Sequence, residues 1–208
     1  YIEDDSGRRH IVGPFDLEII NEYDLAELII RREFSRKFLS NVICKAMLTR
    51  IKLRSINGFI YDCVAKTKNH DIELNYWYLE TLFEKFLSAL CNLEIFNVLI
   101  LLRIILDKLT YLAVLIVGEN NNNFNEKRKI LLDNGLVDGR SYKILGEIYS
   151  NLSKIIHGSV RSLGRRSVRL LGLLFDLEIL CNSRYDVVDL LGNSVCLISS
   201  ILDRITMF

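Results

Sequence analysis

The sequence predicts an all-α fold, a helical bundle with long N-terminal helices, and three observations carry that expectation. Proline is nearly absent, with Pro14 the only one in 208 residues. The eleven glycines fall mostly between apolar runs rather than inside them, as long uninterrupted helices require. Apolar residues recur at helical spacing, whereas no apolar/polar alternation persists beyond a few residues and no internal repeat is visible. At 50% hydrophobic the chain has enough material for a substantial core in one main domain. The expected organisation is an N-terminal helical segment over 1–70 and a helical bundle over 71–208.

The elements follow in order. A first helix is expected from Asp16, its N-cap, through LEIINEYDLAELIIRREFSRKFLSNVICKAMLTRIKL. In it Phe34, Phe38 and Val42 fall four apart, and Leu39, Ile43 and Met47 form the adjacent row. Its length exceeds that of most globular helices, so one break within it is expected. SINGFIYDCVAKTKNHD reads as a turn with one short element at Phe59 to Val64, either a brief helix or a small strand. A second helix spans about Asp71 to Leu90 and a third Ile95 to Val117, with Asn92 and Glu94 marking a break or a kink between them. Asn120 to Asn123 mark a solvated loop, because asparagine side chains compete with backbone hydrogen bonding. Next come a short helix, a turn at Asn134 and Gly135, and a helix from about Gly139 to Ile156. Two closing helices are separated near Asn182 and Ser183.

Charge is balanced overall, with a net +1 that exerts no whole-chain pull toward nucleic acid or acidic membranes. Its distribution is uneven. Residues 1 to 30 hold eight acidic side chains against two arginines, and residues 31 to 55 hold eight basic ones against Glu33 alone. A second basic cluster is Arg161, Arg165, Arg166 and Arg169. Such runs are read first as solvated helix faces. Five cysteines, with no CxxC pair, fall mostly in apolar helical patterns, where a free thiol packs as a small hydrophobe in a reducing, cytoplasmic setting. No signal-peptide pattern opens the chain, which begins at Tyr1 without Met, as a trimmed or fragmentary chain would. Ile95 to Val117 is long enough to span a bilayer, but Arg103, Asp107 and Lys108 near its centre would each cost roughly 2.5–3.5 kcal/mol there. It is expected to be a buried helix, with no membrane contact.

Several chemistries fail on residue type. There is no glycine-rich phosphate loop, no G-x-S-x-G elbow, no H-E-x-x-H and no pair of CxxC motifs. His10 and His70 have no partners at metal-ligand spacing, so neither a metal nor another cofactor is expected. Tyr76, Trp77 and Tyr78 read as core and boundary residues before a base-stacking platform. The informative stretch is EIYSNLSKIIHGSVRSLGRR, where Tyr149, Ser153 and His157 recur every four residues on one helical face and Lys154 points only partly that way. His157 admits two readings. It is either a catalytic base or a cation at a helix C-terminus, favoured by the dipole and followed by Gly158 as a left-handed cap. Arg103 and Asp107, four apart on an apolar helix, are expected to form an ion pair, either structural or facing His157.

YSNLSKIIHGS, preceded by the apolar helix LLRIILDKLTYLAVLI and followed by a closing amphipathic helix, resembles the HEPN-like superfamily, in the members with a Y-x-x-L-S-x-x-x-H-G motif. The resemblance covers about residues 75 to 205. It implies a four- or five-helix bundle that forms a homodimer, RNA as partner, metal-independent ribonuclease activity in several members, and service in prokaryotic antiviral defence or toxin systems. The family's nuclease signature sets an arginine ahead of the histidine, where this chain has Ser150, Asn151 and Leu152. Metal-independent RNA cleavage needs a base, an acid and a cation at the phosphorane. His157, Ser153 and Tyr149 could supply the first two and Arg103 or Arg161 the cation. The resemblance matches Arg103 and Asp107 to the Arg and acidic residue on the family's corresponding helix, and Lys154, Arg161, Arg165 and Arg166 would contact RNA. The function expected is therefore a ribonuclease or a degenerate RNA-binding version of one. The alternatives are a non-enzymatic helical module that dimerises or docks on a larger partner protein, with 31–55 as interface, and a nucleic-acid adaptor using that segment with Arg161 to Arg169.

Overall fold

The computed structural model describes residues 2–3, 9–12, 17–20, 22–163, 179 and 186–207, with side chains at 33, 37, 39–157, 179 and 186–207. Helices run over α1 (Glu22–Ser55), α2 (Asn57–Thr67), α3 (His70–Cys91), α4 (Ile95–Ile116), α5 (Phe124–Asp133), α6 (Gly139–Leu163) and α7 (Val187–Ile205). The helical bundle expected from the apolar spacing is what forms.

Helix α4 is its axis. Thirteen of its residues are buried, and α3, α5, α6 and α7 all pack on it. A helix that is apolar nearly all round must be covered all round. No described helix is long and apolar enough to cross a membrane. On α3 the stripe Ile72, Tyr76, Leu79, Phe83, Phe86 and Leu90 faces inward at spacings of three and four. Helix α1 packs on α3 and α7 through buried Leu39, Val42, Ala46 and Leu53. Tyr76, only 1% exposed, donates its hydroxyl to Leu53 O at 3.3 Å, and burial pushes that hydroxyl's pKa up to about 12.

Polar side chains set the helix starts. Asn69 accepts from Asp71 N at α3, Asn123 from Asn125 N and Glu126 N at α5, and Asp186 from Asp189 N at α7. The asparagine run is thus a cap as well as a loop. Asp138 accepts from Ser141 N at 2.7 Å at the start of α6, after a turn in which Gly135 takes φ +71°.

Several expectations need correction. The first helix begins at Glu22 rather than Asp16, because Leu17–Ile20 pairs as the third strand of an antiparallel sheet with Ile2–Glu3 and Arg9–Val12. Adjacent isoleucines favour extended backbone, which outweighed their helical spacing; Asp16 itself lies outside the described residues. Helix α1 is unbroken over its 34 residues. The short element at Phe59 to Val64 is helical, within α2. A true break separates α3 from α4, with Leu93 at φ +56° and its side chain fully buried. Helix α6 continues past Ile156 to Leu163, so Gly158 lies within it and His157 is not at a helix end. Cys44, Cys91 and Cys196 are exposed and Cys63 half-buried, because they sit beside the buried stripes rather than in them. The break near Asn182 and Ser183 lies outside the described residues.

Ion pairs hold α1 on both flanks. Arg50 and Arg54 pair with Glu84 of α3, and Arg54 with Glu80 at 2.7 Å. Lys52 reaches Asp203 at 2.8 Å and Ser199 at 2.7 Å on α7. The Arg50 hydrogen bond, and then its charge, hold the Glu84 carboxyl below its usual range, and the Ser141 amide does the same for Asp138. A depressed folded pKa contributes stability above the unfolded value that is lost as pH falls through the folded one. The melting temperature is therefore expected to decline as pH drops below about 4.5, and the Glu84→Gln, Asp138→Asn double variant to show a shallower decline in calorimetric melts. Equal slopes for parent and variant would refute this.

Candidate functional site

Helix α6 turns Leu145, Ile148, Leu152, Ile155 and Ile156 inward and leaves the opposite face polar. At the border of the two faces stand Tyr142 and Tyr149, seven residues apart and so on one side of the helix. Each holds an arginine from a neighbouring helix. Arg103 of α4 lies with Cζ 5.0 Å from the Tyr149 ring centre, and Arg128 of α5 lies 4.2 Å from that of Tyr142. Tyr149 also stacks on Phe124, centroids 3.6 Å apart and 15° between planes. The Nε atoms of both arginines are buried without a hydrogen-bond partner. Aromatic contact fixes these cations without neutralising them.

The residues singled out in the sequence are only partly brought together. His157 is exposed on the polar face of α6, two turns and about 12 Å along the axis from Tyr149. Ser153 donates its hydroxyl to Tyr149 O, 2.8 Å away in the same helix. Arg103 does reach α6, at Tyr149. Asp107 is not its ion-pair partner. The Asp107 carboxylate accepts from Lys127 Nζ at 2.7 Å, and the same ammonium lies 3.3 Å from Asp107 O. Lys127 is 2% exposed, and a buried ammonium needs an anion more than a half-buried guanidinium on an aromatic ring does. Lys154 is exposed and borders a groove of ≈ 440 Å³ with Arg128, Tyr142 and Lys143. Arg161 lies one turn past His157 in α6, its side chain outside the described set, as are Arg165 and Arg166 entirely. The basic residues Arg50, Lys52 and Arg54 are occupied by carboxylates, which weakens their part of the 31–55 segment as a nucleic-acid contact. Trp77 and Tyr78 are 44% and 48% exposed while Tyr76 is core. Among the described residues no group of three or more His, Cys, Asp or Glu side chains could hold a metal ion.

Sequence reasoning missed Lys127, Arg128 and Gly146. Lys127 shares a helical stripe with Leu131 and Phe124, so a lone cation on an inward face could have been matched to the lone acid of α4. Gly146, inside KILGEIY, is a helix-interior glycine, a disfavoured choice that signals close approach by a neighbour.

No family model, curated protein or solved structure matches this chain. The site therefore rests on its own geometry.

The Lys127–Asp107 contact yields a stability test. Asp107→Ala leaves a buried ammonium unpaired and is expected to cost about 3 kcal/mol, while Lys127→Met combined with Asp107→Asn stays close to the parent. Denaturant melts read both, and an Asp107→Ala variant as stable as the parent would show the contact to be dispensable.

Proposed function

We propose that this chain is an RNA-directed helical domain of HEPN-like type, serving a prokaryotic defence or toxin system, and that it holds RNA without cleaving it. The observation that carries the reading is the charge around α6. Arg103, Arg128, Lys143 and Lys154 have no carboxylate ion-pair partner among the described residues, whereas Arg50, Lys52 and Arg54 of α1 do. Uncompensated cations on one polar face are what a phosphate backbone requires, and counterion release then makes the affinity depend on salt. Cleavage is disfavoured because its parts do not converge. Ser153 gives its proton to its own helix, the Tyr149 ring is stacked between elements, and His157 stands exposed away from Arg103.

Fluorescence anisotropy with single-stranded RNA tests the reading. Binding is expected to weaken steeply from 50 to 200 mM salt, and Lys154→Ala to reduce the slope of log affinity against log salt by about one. His157→Ala is expected to leave stability within about 0.5 kcal/mol of the parent, as an exposed mid-helix residue should. RNA binding that ignores salt would sink the proposal. Cleavage in chelator that disappears with His157→Ala would replace it with the ribonuclease version.

A second reading, a helical dimerisation module, is favoured by one surface. Met47, Leu48 and Ile51 on the outer ridge of α1 are 56%, 61% and 65% exposed, and ion pairs to Glu80 and Asp203 rim them on either side. An apolar centre with a polar rim fits a second copy of the chain, or a larger partner protein. Ile51→Glu is expected to turn a dimer into a monomer in light scattering with little change in melting. A parent of monomer mass at micromolar concentration would eliminate the homodimer.

A further inference from the structure

Arg128 occupies a slot that exists because residue 146 lacks a side chain. A Cβ added at Gly146 would overlap Arg128 Nη1 and stand 2.6 Å from its Cζ, so the guanidinium lies against bare helix backbone. Tyr142, one turn earlier on α6, supplies the ring beneath it. The Arg128 Nε is buried with no hydrogen-bond partner, and no carboxylate pairs with this guanidinium among the described residues. A planar fork of donors is thus held in a fixed orientation at the edge of the ≈ 440 Å³ groove.

The groove's other charges match one ligand class. Lys143 and Lys154 add two cations and Glu147 one carboxylate, so three positive charges less one negative leave two. Ser150 and Asn151 line the same groove and add hydrogen-bond donors. A fixed guanidinium with two flexible ammonium groups suits a dianion bearing several equivalent oxygens better than it suits a flat carboxylate. We propose that the α5–α6 groove is a binding site for a phosphoryl group carried as a dianion, either a terminal phosphomonoester or inorganic phosphate. The site is distinct from His157 and stands whether or not the chain binds RNA internally along its backbone.

The test uses inorganic phosphate titrated at constant ionic strength against chloride, read by calorimetry and by the melting temperature. The parent is expected to bind phosphate and to melt higher in it. Gly146→Ala keeps every charge but fills the slot, and since alanine favours helix over glycine, its folding is not at risk. It is expected to weaken phosphate binding at least tenfold, as is Arg128→Met, while Lys85→Ala on α3 binds as the parent does. A pair of RNA oligonucleotides with and without a 5′-phosphate separates the sources. Preference for the phosphorylated end, lost in Gly146→Ala, assigns the site to an RNA terminus; phosphate binding without that preference assigns it to the free ion. Phosphate that acts no differently from chloride on the parent, or that binds Gly146→Ala as tightly as the parent, overturns the proposal.

Discussion

Everything in this bundle depends on keeping α4 dry. With thirteen of its residues buried, α4 leaves only one partly exposed stripe through Asn97, Ile104 and Lys108, so α3, α5, α6 and α7 must cover the rest, and most of the chain's polarity is arranged on their outer surfaces. Arg103 and Asp107 are two half-buried charges on this helix, and how each is satisfied determines the neighbourhood. Asp107 draws Lys127 of α5 inward. Arg103 is answered by a ring of α6 rather than by an anion. Covering the axial helix therefore also lines up aromatic rings and cations along the α5–α6 side.

How much of this was legible in the sequence depended on the range of the interaction. Helix existence was legible, because the apolar rows of α3, α4 and α6 are local and periodic. The turn at Asn134 and Gly135 was legible from turn chemistry alone. The N-terminal strands were not, since Leu17–Ile20 has an apolar pattern compatible with a helix and its pairing with Arg9–Val12 is settled by the partner. The end of α6 was misjudged because Gly158 resembles a cap in sequence, and only the continuing backbone distinguishes a cap from an interior glycine. Within the site, Tyr149 and Arg103 do meet, a contact between helices that nothing in the sequence showed. The swap of Asp107 from Arg103 to Lys127 could not be read locally, because spacing of four proposes a neighbour but burial of a third residue chooses the partner.

Positive charge in this chain is of two kinds. On α1 it is spent within the fold, where Arg50, Lys52 and Arg54 join that helix to α3 and α7. Around α6 it is presented, with arginines immobilised on tyrosines and lysines exposed beside them. The three basic residues that end α1 are thus less available than those around α6. Composition counts both kinds alike, and only pairing separates a cation that joins helices from one that can meet a phosphate.

The contact between α1 and α7 has a consequence for how the chain is made. Lys52 bonds Ser199 across 147 residues of sequence, and Gly192 brings α7 close enough for 4.0 Å between a Cβ there and Val42. Closing so long a loop is slow, because its entropy must be lost before any contact compensates. On the ribosome, the α1 surface reserved for α7 stays uncovered until α7 itself has emerged. The α3–α4 hairpin, joined by a three-residue turn, can form long before that. Arrival of α7, rather than collapse of the core, is then the event that completes the bundle, and nascent chains halted before Val187 would expose an apolar groove to chaperones.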